Sequence, residues 1–303
     1  MIVNSGGGNT AVVVVARLEV YGGFHLARVG HETLWGIAVD ERFRFGENWS
    51  KFASRLNLTQ VTAAEKSLQQ LLDRESLNGL TFLDIGSGSG IVSLVASGMG
   101  ASVTSFDYDP DSVQTTESIR DQADRSDWRV LRGSILDREF LNTLGSFDIV
   151  YTWGVLHHTG AMWTALENAA SLVRPGGILV VALYRKTPLC WAWKQEKKLY
   201  ASAPFPIQAA IRTVYKAGFV LGLLAHGRNP VTYIRNYFNN RGMDWHTDVH
   251  DWLGGYPYES ASASEIRANL SRLGFAIVRS SERRPGFGLF GTGCDEFVAT
   301  RAH

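Results

Sequence analysis

The chain of 303 residues is long enough for one large domain or one domain with insertions, and its 45% hydrophobic content supplies a sizeable core and excludes a disordered composition. A formal net charge of +1 gives no global attraction to a polyanion. Cys190 and Cys294 lie far apart without a C-x-x-C spacing, which excludes a disulfide framework or a zinc site, fits a reducing cytoplasm and predicts two small buried hydrophobes.

Residues 1–45 read as a poorly determined N-terminal extension, with a glycine tip at Gly6 to Gly8 and at most one short strand. The apolar run Ala11 to Ala16 is too short for a signal peptide or a membrane span. Phe43 to Trp49 is dense in aromatics, and Trp49 is expected to pack on the core as a clasp, the alternative being closure over a ligand. From Thr59 to Leu72, Val61, Ala64, Leu68, Leu71 and Leu72 recur at helical spacing, with Thr59 or Thr62 as candidate caps.

Thr81 to Ile85 is a short apolar run carrying Asp84. Gly86-Ser87-Gly88-Ser89-Gly90 follows, and Ile91 to Ala96 then reads as a helix, so the unit is strand, tight glycine turn, helix. Alternate glycines let the backbone take positive φ and let a ligand lie against the main chain. The spacing is G-x-G-x-G, which differs from the G-x-G-x-x-G of dinucleotide folds. Ala101 to Asp107 is a second strand, and a carboxylate at its end can accept both hydroxyls of a ribose. Asp109-Pro110-Asp111 opens a helix. Trp128 to Arg132 is the third strand, ending at Gly133-Ser134-Ile135. Phe147 to Trp153 is the fourth, followed by Gly154-Val155-Leu156-His157-His158-Thr159. Leu166 to Val173 is expected as a helix stopped by Arg174-Pro175-Gly176-Gly177, and Ile178 to Tyr184 as the fifth strand. Ser264 to Leu273 reads as a last helix, before strands at Gly274 to Val278 and Glu296 to Ala299. This alternation argues a parallel sheet with crossover helices.

Four of these stretches, Asp84 to Gly90, Asp107, Tyr151 to Thr159, and Leu172 to Val181, resemble the class I S-adenosylmethionine-dependent methyltransferases. In motif style they are most similar to the ubiquinone-biosynthesis O-methyltransferase group, over about residues 60–185. The resemblance implies a Rossmann-like seven-stranded α/β sheet with helices on both faces. It implies a core at 46–185, a helical substrate cap inserted at 186–260 between the fifth strand and the last helix, and a closing helix and antiparallel strand pair at 261–303. S-adenosylmethionine is the implied cofactor, held by Asp84, Ile85, Gly86, Ser87, Gly88, Gly90, Asp107, Tyr108, Ser134, Ile135, Trp153 and Gly154. Ser134 stands where the family usually has an Asp for the adenine amino group, and Asp137 lies too far along to replace it. His157 and His158, after the fourth strand, are the candidate general bases.

Seventy-odd residues between the fifth strand and the last helix exceed an ordinary connection of about two to six residues. From Lys186 to Arg241 the segment carries nine Lys and Arg and only Glu196 as an acid, so a basic cap sits on an acidic body. Interleaved aromatics such as Trp191, Trp193 and Tyr215 can stack on rings or sugars. The charge reads as attraction for an anionic small molecule or a membrane headgroup, or else as a solvated or body-paired helical face. Ile207 to Ala225 is expected as a buried cap helix, with Ile207, Ile211, Val214 and Gly218 on one face and Arg212 and Lys216 opposite.

His246 and His250, among Asp244, Asp248 and Asp251, raise a metal site, which is set aside because methyl transfer needs no metal. The preferred reading is a substrate-lining loop with Trp245, Asp251, Trp252 and Tyr256. The expected activity is methylation of a small molecule, foremost on oxygen, with amine or RNA acceptors and a non-catalytic S-adenosylmethionine-binding protein as alternatives. No nucleic-acid partner is expected, peripheral membrane contact stays open, and oligomeric state is not legible.

Overall fold

The computed structural model of the protein describes residues 42–43, 45–53, 58–237, 245–282 and 286–303. The readings made on Gly6 to Gly8, on Ala11 to Ala16, on Arg241 and on Asp244 lie outside the described residues. Seven strands, β1 Thr81–Ile85, β2 Ser102–Asp107, β3 Trp128–Arg132, β4 Phe147–Trp153, β5 Val173–Tyr184, β6 Phe275–Ser281 and β7 Cys294–Arg301, form one sheet in the order β3-β2-β1-β4-β5-β7-β6. β3, β2, β1, β4 and β5 pair in parallel, and β7 enters antiparallel to β5 and β6. The seven-stranded sheet expected from the resemblance is the one observed.

Strand periodicity divides the core. Leu83, Val150, Leu179 and Val181 face one side with Leu166 and Ala169 of α6 (Met162–Ser171) and Ile266 and Leu270 of α11 (Ala263–Arg272). Phe82, Ile149 and Val180 face the other with Leu68 and Leu72 of α2 (Leu58–Leu72) and Val95 and Ala96 of α3 (Ile91–Gly98). Each fully buried Leu, Ile, Val or Phe among them contributes about 1.5–3 kcal/mol. Side chains alternate across a strand, so a near-continuous apolar run such as Ile178 to Tyr184 is what a strand covered on both faces needs.

Local chemistry sets the helix ends. Asp109 caps α4 (Pro110–Gln122), its side chain accepting from the Asp111 N–H, with Pro110 at the first position. Asp137 caps α5 (Arg138–Asn142) and accepts from the Glu139 and Phe140 N–H groups, so it is committed to that role. Ser262 and Glu265 form a capping box on α11, worth about 0.5–2 kcal/mol. α2 begins at Leu58, so neither Thr59 nor Thr62 caps it.

Four expectations change. Arg174 to Gly177 does not stop a helix: α6 ends at Ser171, and β5 runs from Val173 through the Pro-Gly-Gly. β7 pairs with β5 only from Ile178 onward, so Pro175 deprives no neighbour of an N–H, and Gly176, at φ 75°, takes up a register shift against β4. Both cysteines are half-buried, because they flank the entry to the insertion and not the sheet core. Residues 245–254 form a helix, α10, where a loop was expected.

The insertion also holds α7 (Cys190–Ser202), α8 (Phe205–Ala225) and α9 (Pro230–Arg235). Its own core joins Tyr200, Tyr237, Trp245, Val249 and Leu253 to Phe43. The fourth correction is α8, which buries only Leu223. Arg212 donates to the Tyr200 hydroxyl at 2.6 Å and Lys216 bonds His246 at 2.7 Å, so the polar side chains turn inward and Ile207, Val214, Leu221 and Leu224 stay exposed. Arg185 fastens the start of the insertion. It is buried with Asp295 and gives Nε to that carboxylate at 2.8 Å, and its other nitrogens to the Thr292 and Cys294 carbonyls at 3.0 Å.

Candidate functional site

Strand order reverses between β1 and β4, and in open α/β sheets the ligand crevice lies outside the carboxyl ends at such a point. Gly86, Gly88 and Gly90 all take left-handed backbone there, with φ of 73°, 53° and 76°, a conformation that a Cβ disfavours. The loop is tied to β2: the N–H groups of Gly86 and Ser87 donate to the Phe106 carbonyl at 2.8 and 3.2 Å. The Gly88 N–H donates to Asp107 Oδ2 at 3.0 Å, and the Asp109 N–H to Asp107 Oδ1 at 2.9 Å. Burial pushes the Asp107 carboxyl up to about 6, against the pull of those two N–H groups. Asp84 is buried and accepts from Ser93 Oγ at 2.7 Å. Its own burial pushes it up to about 7, the Ser93 bond opposes the rise and the charge of Asp107 adds to it. Two acids with pKa values raised by burial thus lie beside a glycine cradle, a combination that marks a candidate site.

A helix not resolved by the sequence patterns lies across this edge. In α1 (Phe45–Ala53) the Gly46 N–H donates to Asp109 Oδ2 at 2.8 Å, and Asn48 Nδ2 donates to Asp251 Oδ1 at 2.5 Å. Trp49 lies on the loop, where a Cβ on Gly88 would come within 3.3–3.4 Å of its indole. A ligand crossing Gly88 shares that surface with Trp49 or displaces it.

The two histidines take opposite tautomers. His158 Nδ1 lies 2.9 Å from the Pro257 carbonyl, which can only accept, so the proton sits on Nδ1 and the lone pair on Nε2. Burial holds its pKa down at about 3 despite that bond. His157 is fully buried, and its Nδ1 accepts from the Tyr184 N–H at 3.3 Å. Its proton therefore sits on Nε2, which has no hydrogen-bond partner among the described residues. Burial also lowers the His157 pKa well below the ordinary value.

The structure brings Asp84, Asp107, the glycine loop, Gly154 and His158 to one edge. It sends other expected side chains elsewhere. Trp153 leans across β5 and donates to Glu296 on β7, away from β1. Ile135 is buried in the core. Ser134 Oγ accepts from the Leu136 N–H at 3.2 Å, and Tyr108 is 50% exposed with the Arg42 guanidinium 4.9 Å from its ring. Ser87 Oγ turns to Thr116. Of the insertion residues, Trp245 belongs to the cap core and Asp251 is engaged by Asn48. Tyr256 holds the Phe43 N–H through its carbonyl at 3.0 Å. Trp252 alone among them meets the sheet edge, edge-on to Tyr184 at 5.3 Å. His246 and His250 go to different partners, Lys216 and Tyr200.

Sequence patterns missed the part played by Gly254 and Gly255. A Cβ at Gly254 would fall 2.2 Å from the Phe43 ring, and one at Gly255 would fall 2.5 Å from His158 Cε1. The paired glycines let the end of α10 close onto the N-terminal segment and onto the histidine. Two adjacent glycines after a helix were the available signal.

A family model described as a methyltransferase domain matches residues 59–280. The ubiquinone biosynthesis O-methyltransferase of Caulobacter vibrioides is 31% identical over 116 residues, covering 38% of this chain and 44% of that protein. Its namesake in Xanthomonas campestris pv. campestris is 31% identical over 126 residues, covering 41% and 52%. The chain spans about half the length of the curated relatives it matches. Among solved structures, magnesium protoporphyrin IX methyltransferase from Synechocystis PCC 6803, solved with bound SAH, aligns with a TM-score of 0.51 and 16% identity over 84% of this chain and 94% of that one, a likeness of fold. With the family match running over more than half of its length and the glycine loop, Asp107 and sheet order in place, the chain belongs to the methyltransferase-domain family.

Proposed function

We propose that this protein transfers a methyl group from S-adenosylmethionine to a small-molecule acceptor, on oxygen. The observation that carries the reading is the pairing of Asp107 with the Gly88 N–H across a Cβ-free loop, in a chain of this family. The residues fit an adenosine: a carboxylate oxygen accepts more than one hydrogen bond, so Asp107 keeps capacity for two ribose hydroxyls. Likeness to O-methyltransferases supports the acceptor atom.

When bound, S-adenosylmethionine supplies a methyl group on a sulfonium, a leaving group that needs no protonation. The protein then has to orient the acceptor and exclude water, which accounts for up to roughly 7–11 kcal/mol in well-aligned reactions. α1 and the end of α10 cover the edge. His158 presents a fixed Nε2 lone pair, and with a pKa near 3 it orients an acceptor hydroxyl more than it ionises it, since a strong general base has a pKa near the working pH. As the O–CH3 bond forms and the S–CH3 bond breaks, the hydroxyl proton is released to solvent.

The reading is tested by calorimetric titration of S-adenosylmethionine, followed by transfer of radiolabelled methyl into fractionated extract and mass spectrometry of the product. Absence of binding overturns it, and binding without any labelled product favours a non-catalytic role. Once the acceptor is in hand, Gly255→Ala and His158→Gln each lower kcat by about 10–100-fold with little change in S-adenosylmethionine affinity. The pH–rate profile of the unaltered enzyme lacks an inflection near 6.5, because His158 is already neutral there.

The insertion also carries a face suited to an anionic membrane. Ile207, Ala210, Val214, Ala217, Leu221 and Leu224 form an outward row on α8, every one exposed, in a segment whose charges are almost all positive. Arg212 and Lys216 turn away from that row, so the positive charge comes from the exposed Lys194, Arg228 and Arg235 elsewhere on the insertion. An apolar stripe together with such charges binds at the headgroup boundary. Co-sedimentation with phosphatidylcholine vesicles containing phosphatidylglycerol is expected, and Val214→Glu with Leu221→Glu is expected to release the protein. Equal sedimentation of that double variant overturns this contact.

A further inference from the structure

Several buried polar groups that the methyl-donor reading does not use lie on and around α7 and the end of α10. Lys197, on α7, is fully buried, and its Nζ has no hydrogen-bond partner among the described residues. Both carboxylate oxygens of Glu196 and the indole N–H of Trp252 also lack one, as does His157 Nε2. Native structures satisfy most buried polar groups, so each exception needs a cause. A buried ammonium held without an acceptor is among the costliest. What Lys197 does have is aromatic faces: Nζ lies 3.7 Å from the Trp252 ring centroid, 5.4 Å from that of Tyr258 and 6.0 Å from that of Trp193.

These rings lead directly to the sheet edge. Tyr184, at the end of β5, contacts Trp252 at 5.3 Å, Tyr258 at 5.4 Å and His157 at 3.8 Å. The positive charge of Lys197 is felt at both His157 and His158. Three orphan donors, Lys197 Nζ, Trp252 Nε1 and His157 Nε2, are therefore joined through one continuous set of aromatic contacts next to the oriented lone pair of His158.

We propose that Lys197, with the indole N–H of Trp252, is a receptor for an anionic oxygen, and that the acceptor class it selects is a flat aromatic ring bearing a carboxylate. The aromatic walls match the ring, and the orphan donors match the anion. Acid groups nearby do not fill this role: Glu196 makes no hydrogen bond to the amine, and Asp251 is engaged by Asn48. Burial lowers the Lys197 pKa, while the charges of Glu196 and Asp251 oppose the fall, and an incoming carboxylate acts in the same sense as those acids, favouring the charged amine. A charge-assisted bond in a water-poor site discriminates strongly against a neutral ligand of the same shape.

The inference rests on the methyltransferase reading for the meaning of its position, and the two are separable by experiment. The intact protein is titrated calorimetrically with 2-naphthoate and with the neutral isostere 2-naphthamide, and in parallel with S-adenosylmethionine. The unaltered protein is expected to bind naphthoate about tenfold or more tightly than naphthamide. Lys197→Met, which keeps the length of the side chain, removes that preference and leaves naphthamide and S-adenosylmethionine affinities unchanged. Trp252→Phe, which keeps a ring and loses the N–H, weakens naphthoate alone by several fold. Equal affinity for the two probes, or a preference that persists in Lys197→Met, overturns the receptor. Preference for naphthoate without uptake of S-adenosylmethionine upholds the receptor and overturns the methyl-donor reading.

Discussion

Replacing Asp107 with asparagine weakens S-adenosylmethionine binding by at least about 100-fold, as read by calorimetry. The carboxylate holds the Gly88 and Asp109 N–H groups and, in the proposed complex, two ribose hydroxyls. Hydrogen bonds to a charged group contribute about 1.5–3 kcal/mol each, and an amide has one oxygen where the acid has two. The same variant reports on linkage. The folded-state pKa of Asp107, about 6, lies above its ordinary 3.8, so the folded protein holds that proton more tightly. The resulting stability is fully present below about pH 3.8 and is lost as pH rises through about 6. Asparagine does not titrate. The wild type therefore gains on the variant by roughly 1–3 kcal/mol as pH falls from 7 to 4, visible in melting temperatures of the ligand-free proteins. A gap that does not change with pH contradicts the buried-acid account.

Arg185→Met costs about 3–5 kcal/mol of folding stability in urea titrations. Asp295 is only 2% exposed, and the arginine pairs with it while also capping the Thr292 and Cys294 carbonyls. Removing one partner of such a pair strands the other charge, whereas replacing both with apolar residues is often close to neutral. The double variant with Asp295→Leu is accordingly expected to recover most of the loss. Because Arg185 ends β5 at the entry to the insertion, the single variant also exposes α7 to proteolysis before the sheet unfolds. A loss under 1 kcal/mol would mean that the pair is solvated.

The legible parts of the site are local. Asp84, the glycines of the loop and Asp107 sit within a few residues of strand ends, and apolar alternation with a strand-turn-helix rhythm places them without reference to anything distant. Asp137, which lies too far along the chain to stand in for an adenine-binding acid, caps the helix that starts beside it. Pro175 misled because a helix stop and an edge-strand bulge share one dipeptide signal, and only the pairing of β7 with the later part of β5 separates them.

The insertion is where pattern reading failed, and α8 shows why. Its periodicity marks an apolar row and a polar row, but which row is covered depends on what arrives from elsewhere in the chain. Here Tyr200 and His246 draw Arg212 and Lys216 inward and leave Val214 in solvent. Lys197, an ordinary basic residue by composition, becomes a buried donor for the same reason, as Trp252, Trp193 and Tyr258 close around it. Residue order alone placed the parallel strands, the glycine turn and the acid at the tip of β2, because dihedral preference and apolar alternation act over a few neighbours, whereas the seven-stranded sheet came with the family resemblance and its switch point with the observed strand order. Only the tertiary structure decided which donors lost their water, because desolvation is a property of the surfaces that meet and not of the segment that carries the charge.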